Sequence, residues 1–182
     1  MKALISIDYT NDFIATDGAL TTGFAGQSIE EQMVKVTDTF IKQGDFVVFA
    51  IDAHQAGDQY HPENKLFPPH NIIGTKGQDL YGALKQLHTQ YQMNPQIYWL
   101  NKRHYSAFCG TDLDLRLRER CITEIHLIGV CTDICILHTA IDAYNRSYKI
   151  VIHQHAVASF DPAGHKWALN HFQNALGATV IC

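Results

Sequence analysis

The run FVVFAI at residues 46–51 limits the possible folds more than any other stretch of the chain. It is far shorter than the roughly 20 apolar residues of a membrane span. It is also too continuously apolar for a strand with one face in water. A strand of this kind belongs in a parallel sheet that helices cover on both sides. The rest of the chain keeps the same rhythm. Short β-rich runs are predicted at 3–8, 96–100, 124–130, 149–152 and 178–181, with amphipathic segments between them. Residues 28–42 read as a helix, with Ser28 and Glu31 as a capping box and Ile29, Met33, Val36, Phe40 and Ile41 near helical period. Further helices are predicted at 80–87, at 111–120 with Thr111 as cap, and at 132–144 with Thr132 as cap. Asp161 and Pro162 open the last one, with Pro at its first position. Six strands separated by helices imply an α/β chain: a single domain over 1–182 with a doubly wound, mainly parallel sheet and helices on both faces.

Composition excludes several functions. A length of 182 residues fits one domain with a real core. A formal net charge of -4 with no long basic stretch argues against nucleic-acid binding. No apolar run approaches a membrane span, and Asp8 interrupts the N-terminal run too early for a signal peptide. Five cysteines without framework-like spacing suit a reducing cytoplasm, and at least one is a candidate for reactivity. Eleven histidines prompt a search for metal ligands.

In an open parallel sheet, ligands bind beyond the carboxyl ends of the strands. Asp8 ends the first strand, Asp52 and His54 the second, Lys102 the third, and Cys131 and Cys135 follow the fourth. Cys135 lies near a helix N-terminus, where free N–H groups and the helix dipole lower a thiol pKa; a buried structural cysteine is the other reading. Asp8 reads as the base for that thiol or as a strand-end carboxylate capping a turn. Lys102 reads as a charge between them or as a solvated side chain. Together the three make a hydrolase site. The long polar stretch from Asp52 to about Gly77 carries Asp52, His54, His61, Glu63 and His70. Asp52 and His54 are two apart, so an extended chain turns both to one side. Such oxygen and imidazole donors suit zinc, manganese or iron; a histidine-bearing loop without metal is the alternative.

Four segments in order resemble the isochorismatase-like cysteine hydrolases, and nicotinamidases among them most closely: IDYTNDF, IDAHQAGDQYHPENKLFPPH, NKRHYSAF and GVCTDICILHTAIDAY. The resemblance implies Asp8, Lys102 and Cys135 as the catalytic triad. It implies Asp52, His54 and His70 as ligands to one divalent metal, zinc foremost, with Glu63 a further ligand or one acting through water. It implies a cis peptide before Cys131 that aims the N–H groups of Cys131 and Cys135 at an oxyanion. Phe13, Phe67 and Tyr105 would line a ring pocket. Ile136 stands where the family usually has Val. The implied activity is hydrolysis of nicotinamide to nicotinate and ammonia in NAD salvage, with pyrazinamide as a side substrate. The expected partners are that small molecule and further copies of the chain in a homo-oligomer. The alternatives are a related cysteine amidase acting on another small amide, a hydrolase using metal hydroxide, and a non-catalytic metal or ligand binder.

Overall fold

Six strands lie in one sheet: β1 (Lys2–Ile7), β2 (Phe46–Asp52), β3 (Ile97–Lys102), β4 (Glu124–Val130), β5 (Lys149–Ala158) and β6 (Thr179–Ile181). The computed structural model describes residues 1–182. The strand order is β3-β2-β1-β4-β5-β6, and every pairing is parallel. The chain winds outward from β1 to β3, then returns to the other side of β1 to lay down β4. The order therefore reverses between β1 and β4, the place where α/β sheets open a crevice.

Alternate residues of each strand feed two cores. Ala3, Ile5, Ile7, Val48, Ala50, Ile125 and Leu127 face one layer, with Leu113, Leu117, Ala140 and Phe172 packed there from helices. Leu4, Val47, Phe49, Ile51, Ile128 and Val130 face the other, against Met33, Phe40, Ile41 and Leu84. All seven residues of β2 are buried, as its apolar run requires. The helices are α1 (Asn11–Ile14), α2 (Phe24–Gln27), α3 (Glu30–Gln43), α4 (Gly82–Tyr91), α5 (Leu113–Glu119), α6 (Leu137–Asn145) and α7 (Pro162–Asn174). None is long and apolar enough to cross a membrane.

Several local expectations need correction. The capping box at Ser28 does not form. Ser28 donates its hydroxyl to Ala25 O, inside the separate short helix α2, and α3 begins at Glu30 after Ile29. Thr111 is not the N-cap residue of α5, which starts after Asp112, but its Oγ1 accepts from Leu113 N–H at 3.3 Å while its hydroxyl donates to Ala107 O. The leucine alternation there resolves at helical period, with Leu113 and Leu117 buried and Leu115 exposed. Thr132 is no cap: its hydroxyl shares a 2.8 Å hydrogen bond with His165 Nδ1. Thr132–Ile136 instead form one π turn ahead of α6. β5 runs six residues past its predicted end, with a register shift against β4 between Leu127 and Gly129. Asp161 does cap α7, accepting from Ala163 N–H at 2.9 Å, with Pro162 at the first helical position.

Candidate active site

β1 to β4 all end on the same rim, and three side chains meet there. Lys102 Nζ lies 2.8 Å from Asp8 Oδ2 and donates to Cys135 Sγ at 3.7 Å. Asp8 is the residue after β1 and takes a positive φ of 54°, which Asp tolerates better than most residues. Its Oδ1 accepts from Asp52 N–H at 2.7 Å, so the neighbouring strand holds the carboxylate in place. Lys102 is the last residue of β3, registered beside Asp52. Cys135 comes from the π turn after β4. The peptide between Val130 and Cys131 is cis, as the resemblance implied.

Burial governs the ionisation of this group. It pushes the Asp8 carboxyl up despite the opposing Lys102 ammonium. It also raises the Cys135 thiol well above its ordinary value, with Lys102 opposing and Asp8 reinforcing. The expectation of a thiol lowered by a helix N-terminus is therefore wrong for this chain: desolvation outweighs the turn. Lys102 keeps its proton, because Asp8, Cys135 and Asp52 outweigh a burial effect that would lower its pKa. The group thus combines a firm cation, a protonated thiol and a carboxylate made more basic than usual.

Beside it, Asp52, His54, Glu63 and His70 form one cluster. All four are buried, and one potential ligand atom of each lies within 4.8 Å of the others. His54 Nε2 is 2.6 Å from Asp52 Oδ2. His70 Nε2 is 3.3 Å from Asp52 Oδ2 and 3.4 Å from Glu63 Oε2. His70 Nδ1–H donates to Pro68 O at 2.8 Å, which leaves Nε2 free to face the carboxylates. The donors fit a divalent cation. Asp52 Oδ1 and His70 Nε2 are buried without a hydrogen-bond partner, a rare condition that a bound ion relieves. The gap also attracts positive charge: against a burial effect that lowers it, Asp52 and Glu63 raise His70 to about 10. Burial would raise Asp52, but Lys102, His54 and His70 hold it well below the carboxylate range. His61 stands outside the four. Its ring stacks on His54 with centroids 3.6 Å apart, and its Nδ1 accepts from Glu63 N–H at 3.3 Å.

A cavity joins the two groups. Phe13, Phe67 and Tyr105 line it as expected, together with Asp52, Glu63, Cys131 and Cys135. Phe13 packs edge-on against His70 at 5.3 Å, which sets the aromatic wall beside the metal cluster. Sequence reasoning missed Leu20, Ile134 and Phe160, which complete the wall. Ile134 was within reach, since it adjoins Cys135 in the quoted motif. Leu20 and Phe160 lie in segments with no motif, and only folding brings them here.

The chain matches the isochorismatase domain over residues 2–182. It is 61% identical over 179 residues to the isochorismatase family protein PncA of Bacillus subtilis, covering 98% of each chain. It aligns with the crystal structure of nicotinamidase/pyrazinamidase PncA from Bacillus subtilis with a TM-score of 0.99 at 58% identity, covering 100% of this chain and 99% of that one. The pyrazinamidase/nicotinamidase of Streptococcus mutans gives a TM-score of 0.98 at 56% identity, covering 100% of both chains.

Proposed function

The chain belongs to the isochorismatase family of hydrolases, and from that premise we propose that it hydrolyses nicotinamide to nicotinate and ammonia through a Cys135 thioester. The observation that carries this reading is Lys102 Nζ within 2.8 Å of Asp8 Oδ2 and 3.7 Å of Cys135 Sγ, where Cys135 lines a cavity together with Asp52 and Glu63 of the metal cluster. The whole of 1–182 acts as one hydrolase domain. The relatives' substrates support the ring chemistry. Pyrazinamide is the proposed side substrate, because it too carries a ring nitrogen meta to its carboxamide.

The ring lies between Phe13, Phe67 and Tyr105, with its carboxamide at Cys135. Asp8, made more basic by burial, takes the thiol proton. Lys102 stays protonated and stabilises the charge on sulfur and carboxylate in turn. The thiolate attacks the amide carbon. The N–H groups of Cys131 and Cys135 receive the oxyanion; one such donor contributes roughly 3–4 kcal/mol. As the tetrahedral centre collapses, Asp8 returns its proton to nitrogen and ammonia leaves. A water then gives a proton to Asp8 and attacks the thioester. Collapse of the resulting tetrahedral centre breaks the C–S bond; Cys135 takes its proton back from Asp8, and the acid leaves as nicotinate, its proton passing to ammonia. Asp52, His54, Glu63 and His70 would hold a divalent ion, for which we propose zinc; when bound, it supplies a Lewis acid that fixes the pyridine nitrogen and so the ring's orientation. The five free cysteines, Cys135 among them, support a reducing cytoplasmic setting.

Ammonia release from nicotinamide tests the reading. Cys135→Ala is expected to abolish it while bound metal stays at the wild-type level. Continued turnover by Cys135→Ala would refute the thioester route.

A further inference from the structure

Asp12 has no part in the chemistry proposed above, yet both of its carboxylate oxygens are engaged. Oδ2 accepts from Asn71 N–H at 2.7 Å, and Oδ1 accepts from Ala19 N–H at 3.3 Å. The carboxylate fits only because position 77 is glycine, where a Cβ would lie 2.1 Å from Asp12 Oδ2. Asn71 is fully buried and takes a positive φ of 44°. It is bonded on several sides. Its Oδ1 accepts from the Thr10 hydroxyl at 2.8 Å, and its carbonyl accepts from His54 N–H at 3.1 Å. Its own N–H belongs to the peptide that joins it to His70. One buried residue therefore touches the backbone of both imidazole donors, and Asp12 fixes that residue from α1.

We propose that Asp12 and Asn71 are positioning residues that set His54 and His70 for the divalent cation. The inference rests on the metal reading of the Asp52, His54, Glu63 and His70 cluster. Its physical basis is direct. Asn71 N–H has no route to water, so losing the Asp12 oxygen leaves a buried donor unpaired. The left-handed turn then relaxes, and ligands held by their outer partners lose register.

The test is zinc titration of the metal-free protein. Asp12→Ala is expected to bind zinc roughly 10–100-fold more weakly, the usual effect of removing such an outer partner. Asp12→Asn keeps one acceptor oxygen and its shape; it is expected to fall between Asp12→Ala and wild type, and it carries the test alone if Asp12→Ala does not fold. The rate at which iodoacetamide alkylates Cys135 in the metal-free variants is expected to stay at the wild-type value. Wild-type zinc affinity in Asp12→Asn and Asp12→Ala would overturn the inference. So would a loss of affinity accompanied by altered alkylation, which marks general damage to the fold. His54→Ala serves as the control: if it retains zinc, the metal reading itself fails, separately from the role of Asp12.

Discussion

Lys102 is the residue on which the site's electrostatics turn. Its ammonium is buried, 2.8 Å from Asp8 and 3.8 Å from Asp52. An uncompensated buried charge is far costlier than a buried pair is beneficial. Lys102→Met should therefore do more than stop catalysis. It should destabilise the fold by about 3–5 kcal/mol in urea unfolding, and stability equal to wild type would contradict the buried network. Cys135 makes a separate claim on chemistry. Iodoacetamide should inactivate the enzyme, and nicotinate should protect it, since both would occupy one cavity. A protein fully alkylated at Cys135 that still releases ammonia would point to the metal-hydroxide alternative.

At the scale of elements, the site depends on how closely β4 approaches β1. Gly129 has a φ of 119°, and a Cβ built there would lie 1.9 Å from Ile7 O, the carbonyl just before Asp8. Only glycine fits this position. Gly129→Ala should cost at least about 2 kcal/mol, from backbone strain and overpacking together, and should depress ammonia release in whatever folds. A milder change farther along marks the contrast. Asp161→Ala removes the α7 cap and should cost about 1 kcal/mol in thermal or urea unfolding. α7 also braces the π turn through His165 with Thr132, and the Ser159 hydroxyl just before the helix donates to Asp133 Oδ1 at 2.5 Å. Gly44 closes α3 in the left-handed conformation, its N–H reaching Ile41 O, so that the chain turns straight into β2.

For the molecule as a whole, buried and half-buried histidines contribute to acid stability. His153 is held down at about 4 by burial and by its neighbour His126, itself lowered by burial against the pull of Glu124. In the unfolded chain both titrate near 6.5. Between those values the unfolded state binds protons that the folded state refuses, so stability rises with pH. The stability present above pH 6.5 is expected to drain away as pH falls toward 4. Burial of His88 and His165 acts in the same direction. Thermal unfolding of the zinc-loaded protein against pH should show a falling Tm across that window, flattened in His153→Gln. A Tm indifferent to pH from 6.5 to 4 would reject the assignment.

Much of this protein was legible in its chain. Strand content followed from apolar runs such as FVVFAI, because a strand buried on both faces has no polar position to spare. Direction followed from the helices between strands, and direction fixed the rim at which Asp8, Asp52, Lys102 and Cys135 meet. Helix starts were less legible. Ser28, Thr111 and Thr132 have capping chemistry, but none stands at the N-cap: the Ser28 and Thr132 hydroxyls are taken by Ala25 O and His165, and Thr111 lies one residue early, bonded to both Leu113 N–H and Ala107 O; sequence does not reveal which partner is nearest. The thiol of Cys135 was misjudged for a related reason: its place near a helix start is local, whereas its desolvation comes from the layers packed around it. Leu20, Phe160 and the tie between Asp12 and Asn71 likewise exist only once distant segments touch. Sequence alone determined on which edge Asp8, Asp52, Lys102 and Cys135 stand, because period and strand direction are properties of short stretches. Tertiary structure alone decided their protonation and their supports, because burial and hydrogen-bond partners depend on what the rest of the chain brings alongside.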